Sequence, residues 1–203
     1  MPPVGRPTIP NRDYVLQVDT PEFAQFSANA FIIWGQDENF YEWASAAIMS
    51  FNAGLDWRPS DQLRFNGTYQ LQRIGRRTDG STVNLQHIPR LKVEYQLSRP
   101  IFLRLVGEYT TERQDDLRDH TRTEAPLLIY DPTADQFVRA TAFDHTSFRA
   151  DLLFSYQPNP GTVLFAGYGS TLRDPVDPDD PRRTGLRRAD DGFFFKMSYL
   201  FRM

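Results

Sequence analysis

The strongest constraint on this chain is a period of two that returns in one stretch after another. Residues 192–203 place Phe193, Phe195, Met197, Tyr199, Phe201 and Met203 on one side, and Phe194, Lys196, Ser198, Leu200 and Arg202 on the other. Leu63, Phe65, Gly67, Tyr69 and Leu71 oppose Arg64, Asn66, Thr68, Gln70 and Gln72 in the same way. Side chains that alternate like this stand on opposite faces of a β-strand. One face is large and apolar and the other carries charge, so each strand has a dry side and a wet side.

The same reading applied along the chain gives about eight long strands. They lie at 26–34, 43–57, 63–72, up to Leu97, 101–110, 148–157, 162–172 and 192–203. Residues 1–23 read as an extended lead-in rich in proline, with a short strand over 14–18, and residues 24–203 as one domain. Arg58-Pro59-Ser60-Asp61, Ser98-Arg99-Pro100 and Pro158-Asn159-Pro160-Gly161 have turn chemistry, and Thr78-Asp79-Gly80-Ser81 has that of a hairpin. Pro89 costs its strand one ladder bond and is a candidate bulge. Residues 115–146 form the longest connection, with a small hairpin expected around Asp131-Pro132-Thr133-Ala134-Asp135. In 162–172 both faces are equally apolar, and alternation assigns neither.

Alternation alone does not say which face points inward. Three features favour a membrane. The strands run about 10 to 15 residues, whereas strands of globular proteins centre on about five or six. Short and longer connections alternate, as they do between the two sides of an outer-membrane barrel, and only the connection after the third strand breaks the pattern. The wet face carries full charges at Arg64, Arg90, Lys92, Glu94, Arg104, Glu108, Arg149, Asp151, Lys196 and Arg202, each of which a dry core would have to pair. The expected fold is therefore all-β: an antiparallel transmembrane β-barrel, either closed by about eight strands or the C-terminal part of a larger one. The listed charges would line its lumen, pairing across strands as Glu94, Arg104 and Glu108 could. Trp34, Trp43, Trp57, Tyr69, Tyr95, Tyr109 and Tyr156 would form the interfacial aromatic belt. The competing class is a soluble exported barrel or sandwich that binds a small apolar ligand.

Composition narrows the remainder. No apolar run reaches the roughly 20 residues of a spanning helix. A net charge of −3 gives no case for nucleic acid, and the absence of cysteine removes disulfides and thiolate metal sites. Residues 1–7 have no basic start followed by an apolar run, so the barrel reading carries the expectation of a fragment, a processed product or the product of a truncated gene. His87, His120 and His145 lack zinc spacing, and no cofactor motif is present. His145 beside Asp144 and near Ser147, and His120 near Asp116 and Asp119, define the third reading, a barrel-embedded hydrolase. Asp37, Glu38 and Glu42, and the acidic residues of 174–180, have carboxylates for calcium without an ordered spacing.

Residues 37–43 (Asp-Glu-Asn-Phe-Tyr-Glu-Trp), 56–64 (Asp-Trp-Arg-Pro-Ser-Asp-Gln-Leu-Arg), 95–99 (Tyr-Gln-Leu-Ser-Arg), 160–163 (Pro-Gly-Thr-Val) and 195–202 (Phe-Lys-Met-Ser-Tyr-Leu-Phe-Arg) carry a family resemblance. Over about 37–203 the chain resembles the C-terminal barrel of an uncharacterised bacterial family. In that family a family-9 carbohydrate-binding-like domain precedes an outer-membrane β-barrel. The resemblance implies a bacterial outer-membrane location, a structural or transport role and an upstream carbohydrate-binding-like domain, and it brings no activity. The ending also resembles the C-terminal signal read by the outer-membrane assembly machinery, here Phe195, Met197, Tyr199, Phe201 and Met203. The implied partners are that machinery and the lipid bilayer.

Overall fold

The structure, a computed structural model, describes residues 11–174 and 185–200. The strands are β1 (Arg12–Asp19), β2 (Phe26–Asn39), β3 (Ala44–Trp57), β4 (Leu63–Arg76), β5 (Thr82–Ser98), β6 (Ile101–Gln114), β7 (Leu128–Asp131), β8 (Gln136–Arg139), β9 (Phe143–Asn159), β10 (Thr162–Arg173) and β11 (Arg187–Tyr199). Nine of them form one antiparallel sheet in the order β1-β2-β3-β4-β5-β6-β9-β10-β11, while β7 and β8 form a separate hairpin. Apart from β1, the strands of the large sheet are 12 to 17 residues long. A tilted strand of about 9 to 11 residues already spans a bilayer.

Registry carries the alternation from strand to strand. The rung Asp56–Asn66–Lys92–Val106–Asp151–Gly169 runs along one face, and Trp57–Phe65–Val93–Leu105–Leu152–Tyr168 along the other. Among the described residues no second sheet and no helix covers the apolar face. Leu55, Leu91, Leu105, Leu152 and Phe154 stand exposed on it. A soluble sheet would bury that face, so this single layer has the fold of a transmembrane barrel wall. Ring pairs Tyr14–Trp34 (5.7 Å), Trp57–Phe65 (5.3 Å) and Tyr168–Phe193 (5.3 Å) bridge neighbouring strands on the apolar face. Each contributes about 0.5–1 kcal/mol to the ladder.

Residues 20–25, 58–62, 99–100 and 160–161 lie at one end, and 40–43, 77–81 and 115–142 at the other, where β10 stops and β11 begins. Length follows this alternation only in part, since 20–25 and 58–62 at the first end are no shorter than 40–43 and 77–81 at the second. Among the described residues every buried one, including Asn39, Glu42, Ala46, Arg76, Val83, Leu117 and His120, sits at the second end. The packed core is therefore a cap at the rim of the wall.

Several sequence expectations change. The short strand at 14–18 extends over Arg12–Asp19 and pairs along its whole length with β2, from Arg12–Gln36 to Asp19–Asn29. The sheet thus begins inside the stretch set apart as a lead-in, and it has nine strands rather than eight. Pro89 pairs with Tyr69 and interrupts the ladder to β6 without shifting its register, so it marks no bulge. Trp43 is off the strands, in a turn with φ 51°. The ambiguous strand β10 directs Leu164, Ala166, Tyr168 and Leu172 to the apolar face, and Phe165, Gly167, Gly169 and Thr171 to the polar one.

Candidate functional site

The polar face carries the charges that the alternation singled out. Arg64 bridges to Asp56 at 2.8 Å, Lys92 to Glu94 at 3.4 Å, Arg90 to Glu108 at 3.6 Å and Arg149 to Asp151 at 3.0 Å. Most pair along a strand or with a direct neighbour, because alternate residues on one strand and opposed residues on two strands share a face. Arg104 is opposite Glu94 in register and yet makes no ion pair with it or with Glu108, which corrects the expected ladder among the three. Lys196 shares the face without an ion pair among the described residues, and Arg202 lies outside them. These pairs are partly hydrated, so each contributes at most about 1 kcal/mol. Their main effect is to keep the face wet. A hollow of about 600 Å³ opens against Arg90, Lys92, Arg104, Arg149, Asp151 and Phe194.

At the capped rim, three connections meet on one ion pair. Arg76, the last residue of β4, donates through Nη2 to Glu42 Oε1 at 2.6 Å and through Nε to Oε2 at 3.0 Å. Its Nη1 reaches Asp115 Oδ2 at 2.6 Å and Ser81 Oγ at 2.9 Å, and Nη2 also reaches the Asp116 carbonyl at 2.8 Å. Glu42 further accepts the Asn39 amide and the Arg118 backbone N–H, each at 3.0 Å. His120 faces the same carboxylate, its Nδ1 3.0 Å from Oε2 but off the hydrogen-bonding line. Both Arg76 and Glu42 side chains are fully buried. Beside them Val83, Leu117 and Ala140 pack with Ile74 and Leu127. The loop's base is thus fastened to the wall by charge and by apolar contact, while its tip, the β7–β8 hairpin, projects.

Asp79 and Asp115 make this clamp sensitive to acid. The Ser81 hydroxyl and N–H, and then Arg118, hold Asp79 down to about 2. The bond from Arg76 holds Asp115 below the usual carboxylate range, against a smaller opposing effect of burial. Because folded values lie below unfolded ones, their stabilisation is complete above the ordinary Asp value of about 3.9 and is lost as pH falls through the folded values. Pepsin cleavage within residues 117–142, measured relative to an unfolded control peptide, is therefore expected to rise as pH falls from about 4 to about 2. A rise already complete by pH 5 would show that these two carboxylates do not hold the loop.

The other expected site residues are dispersed. Trp34, Trp57, Tyr69, Tyr95, Tyr109 and Tyr156 stand on the apolar face, and Tyr69 donates or accepts a 2.7 Å hydrogen bond with His87 Nδ1 there. Trp43 sits at the rim beside Phe40. The hydrolase reading loses the geometry of both its groups, since Asp144 points to the opposite face from His145 and binds Arg113 at 2.8 Å, and His120 faces the Arg76-bound Glu42 carboxylate. Of the calcium candidates, Glu42 is committed to Arg76, and among the described residues no three acidic or histidine side chains gather as a metal site. The segment 175–180 lies outside the described residues. Of the assembly signal, Phe195, Met197 and Tyr199 lie on the apolar face of β11, while Phe201 and Met203 lie outside the described residues. Sequence reasoning missed Arg76 altogether; it is one of two adjacent arginines, Arg76 and Arg77, just before a turn, and nothing local sets it apart.

The fold and the site together define an antiparallel wall of the outer-membrane barrel class, apolar on one face, charged on the other and capped by a long loop at one rim. No protein-family model matches the chain, and no curated protein matches it. Among solved structures it is similar to the outer membrane channel DcaP of Acinetobacter baumannii, with a TM-score of 0.51 at 15% identity. The match covers 96% of this chain and 53% of that one, so the chain spans about half the length of that channel. At this identity the likeness establishes the fold.

Proposed function

We propose that this chain forms part of the wall of a bacterial outer-membrane channel, its apolar face in lipid and its charged face lining the path of polar solutes. The observation that carries this is the single-layer sheet with its apolar face uncovered and its charged face hollow. The likeness to a channel supports the transport reading over a purely structural one. On this reading no catalysis is assigned. The aromatic rings of the apolar face serve as the interfacial belt, with Trp43 at its rim, and β11 is the strand offered to the assembly machinery. The clamped loop narrows the entrance and presents the β7–β8 hairpin to the outside. The resemblance to the barrel that follows a carbohydrate-binding-like domain is consistent with this role, and such a domain would be an additional partner.

Lipid contact is directly measurable. With Trp43→Phe removing the rim tryptophan, Trp34 and Trp57 remain, both on the apolar face. Reconstituted into vesicles containing brominated lipid, this variant is expected to lose most of its tryptophan fluorescence, and aqueous iodide is expected to quench it little. Strong iodide quenching without bromine quenching would place the apolar face in water and overturn the proposal.

A further inference from the structure

The nine-stranded sheet is open. Its terminal strands, β1 and β11, pair on one side only, and each of their described residues is exposed. In lipid this arrangement is untenable, because each unsatisfied backbone N–H or C=O in hydrocarbon costs several kcal/mol. Something must pair with both edges, and the sheet's own direction limits what it can be.

Every neighbouring pair in the sheet is antiparallel. Among the described residues the sheet has nine strands, an odd number, so β1 and β11 run the same way, from the capped rim to the short-turn end. If the two edges met, they would make a parallel seam. A second copy of this chain does no better. Rotating it about the membrane normal preserves strand direction and creates two parallel seams; rotating it about an axis in the membrane plane sends the long loops to opposite sides. Bacterial single-chain barrels have an even number of antiparallel strands.

Resting on the channel-wall reading, we infer that the two open edges receive one continuous array of an odd number of antiparallel strands, beginning beside β11 at the short-turn end and ending beside β1 at the capped rim. Scaling nine strands by the 53% coverage of the solved channel gives about seventeen. The adjacent even totals, sixteen and eighteen, require about seven or nine further strands. The partner is thus strand-forming chain of defined parity, and neither this chain folded onto itself nor its duplicate satisfies it.

The test adds strands of known parity to the full chain. Placing a copy of residues 24–174 before residue 1 adds β2–β6, β9 and β10, seven strands in the large sheet, and makes sixteen. A copy of residues 11–174 adds β1 as well and makes seventeen. After refolding in detergent, the sixteen-stranded chain is expected to run as a compact monomer that shifts on boiling, and the seventeen-stranded chain and the original are not. Closure of both longer chains, or of neither, would overturn the inference. So would a compact band from the original chain, either as a monomer or as a dimer. Because the chain has no cysteine, Val15→Cys combined in turn with Phe194→Cys, Lys196→Cys or Ser198→Cys on the same face of β11 reports a β1–β11 seam in successive registers through an oxidised cross-link, and no cross-link is expected in the original chain. Bromine quenching is also read on the original chain in micelles of a brominated detergent, where open edges stay hydrated and closure is not needed, so loss of the channel-wall reading and loss of the parity rule can be told apart.

Discussion

Arg76→Met is expected to destabilise the capped rim by about 3–5 kcal/mol, because it leaves the Glu42 carboxylate buried without its cation. Glu42 would retain only the Asn39 amide and the Arg118 N–H as hydrogen-bond donors. Asp115 and the Asp116 carbonyl would lose their bonds at the same time, so the base of the 115–142 loop should separate from the wall. The measurement is chemical unfolding followed by amide exchange at Leu117, Leu127 and Ala140, whose N–H groups are bonded within the loop base or to its flank. Glu42→Gln combined with Arg76→Met should recover a large part of the loss, since no unpaired charge then remains. A single-variant loss below about 1 kcal/mol would mean that the pair is solvated like a surface bridge.

Leu152→Arg and Leu153→Arg place the same substitution at adjacent positions on opposite faces of β9, and their effects should differ several-fold. Leu152 stands on the apolar face beside Leu105 and Tyr168, whereas Leu153 faces Arg104 and Gly167. In a lipid-facing wall the first should cost about 2–4 kcal/mol near the bilayer midplane. The second enters a hydrated hollow and should cost about 1 kcal/mol or less, from repulsion by Arg104 across a screened surface. Unfolding in lipid vesicles reads both values. If the order reversed, the polar face would be the dry one and the assignment of the apolar face to lipid would fail.

What was legible in the sequence was whatever a single strand expresses by itself. Period-two runs such as Leu63–Tyr69 and Ile101–Tyr109 located strands and faces because each residue's side is fixed by its own position. The charged face was legible for the same reason. The clamp was not: Glu42, Arg76, Asp115 and His120 meet only after three connections fold to one rim, and no local period records that meeting. Trp43 was misplaced because it is in phase with Ser45 and Ala47, although its positive φ turns the chain before the strand begins. Strand β1 was undervalued because Val15 interrupts an otherwise polar side, which blurs a short alternation. In β10 the pattern failed because Gly167 and Gly169 reflect the needs of neighbouring strands.

Those glycines have a mechanical consequence. The Phe194 ring of β11 lies across Gly167, and a Cβ there would collide with it; a Cβ on Gly169 would meet the Asp151 carboxylate at 2.8 Å. A two-residue slip of β11 preserves which face is apolar, so hydrophobic pattern alone does not oppose it. It would move Phe194 either onto the Phe165 ring or onto the position guarded by Asp151. The bare backbone at Gly167 therefore acts as a keyway and the ring as its key, setting the longitudinal position of a strand that has a neighbour on only one side.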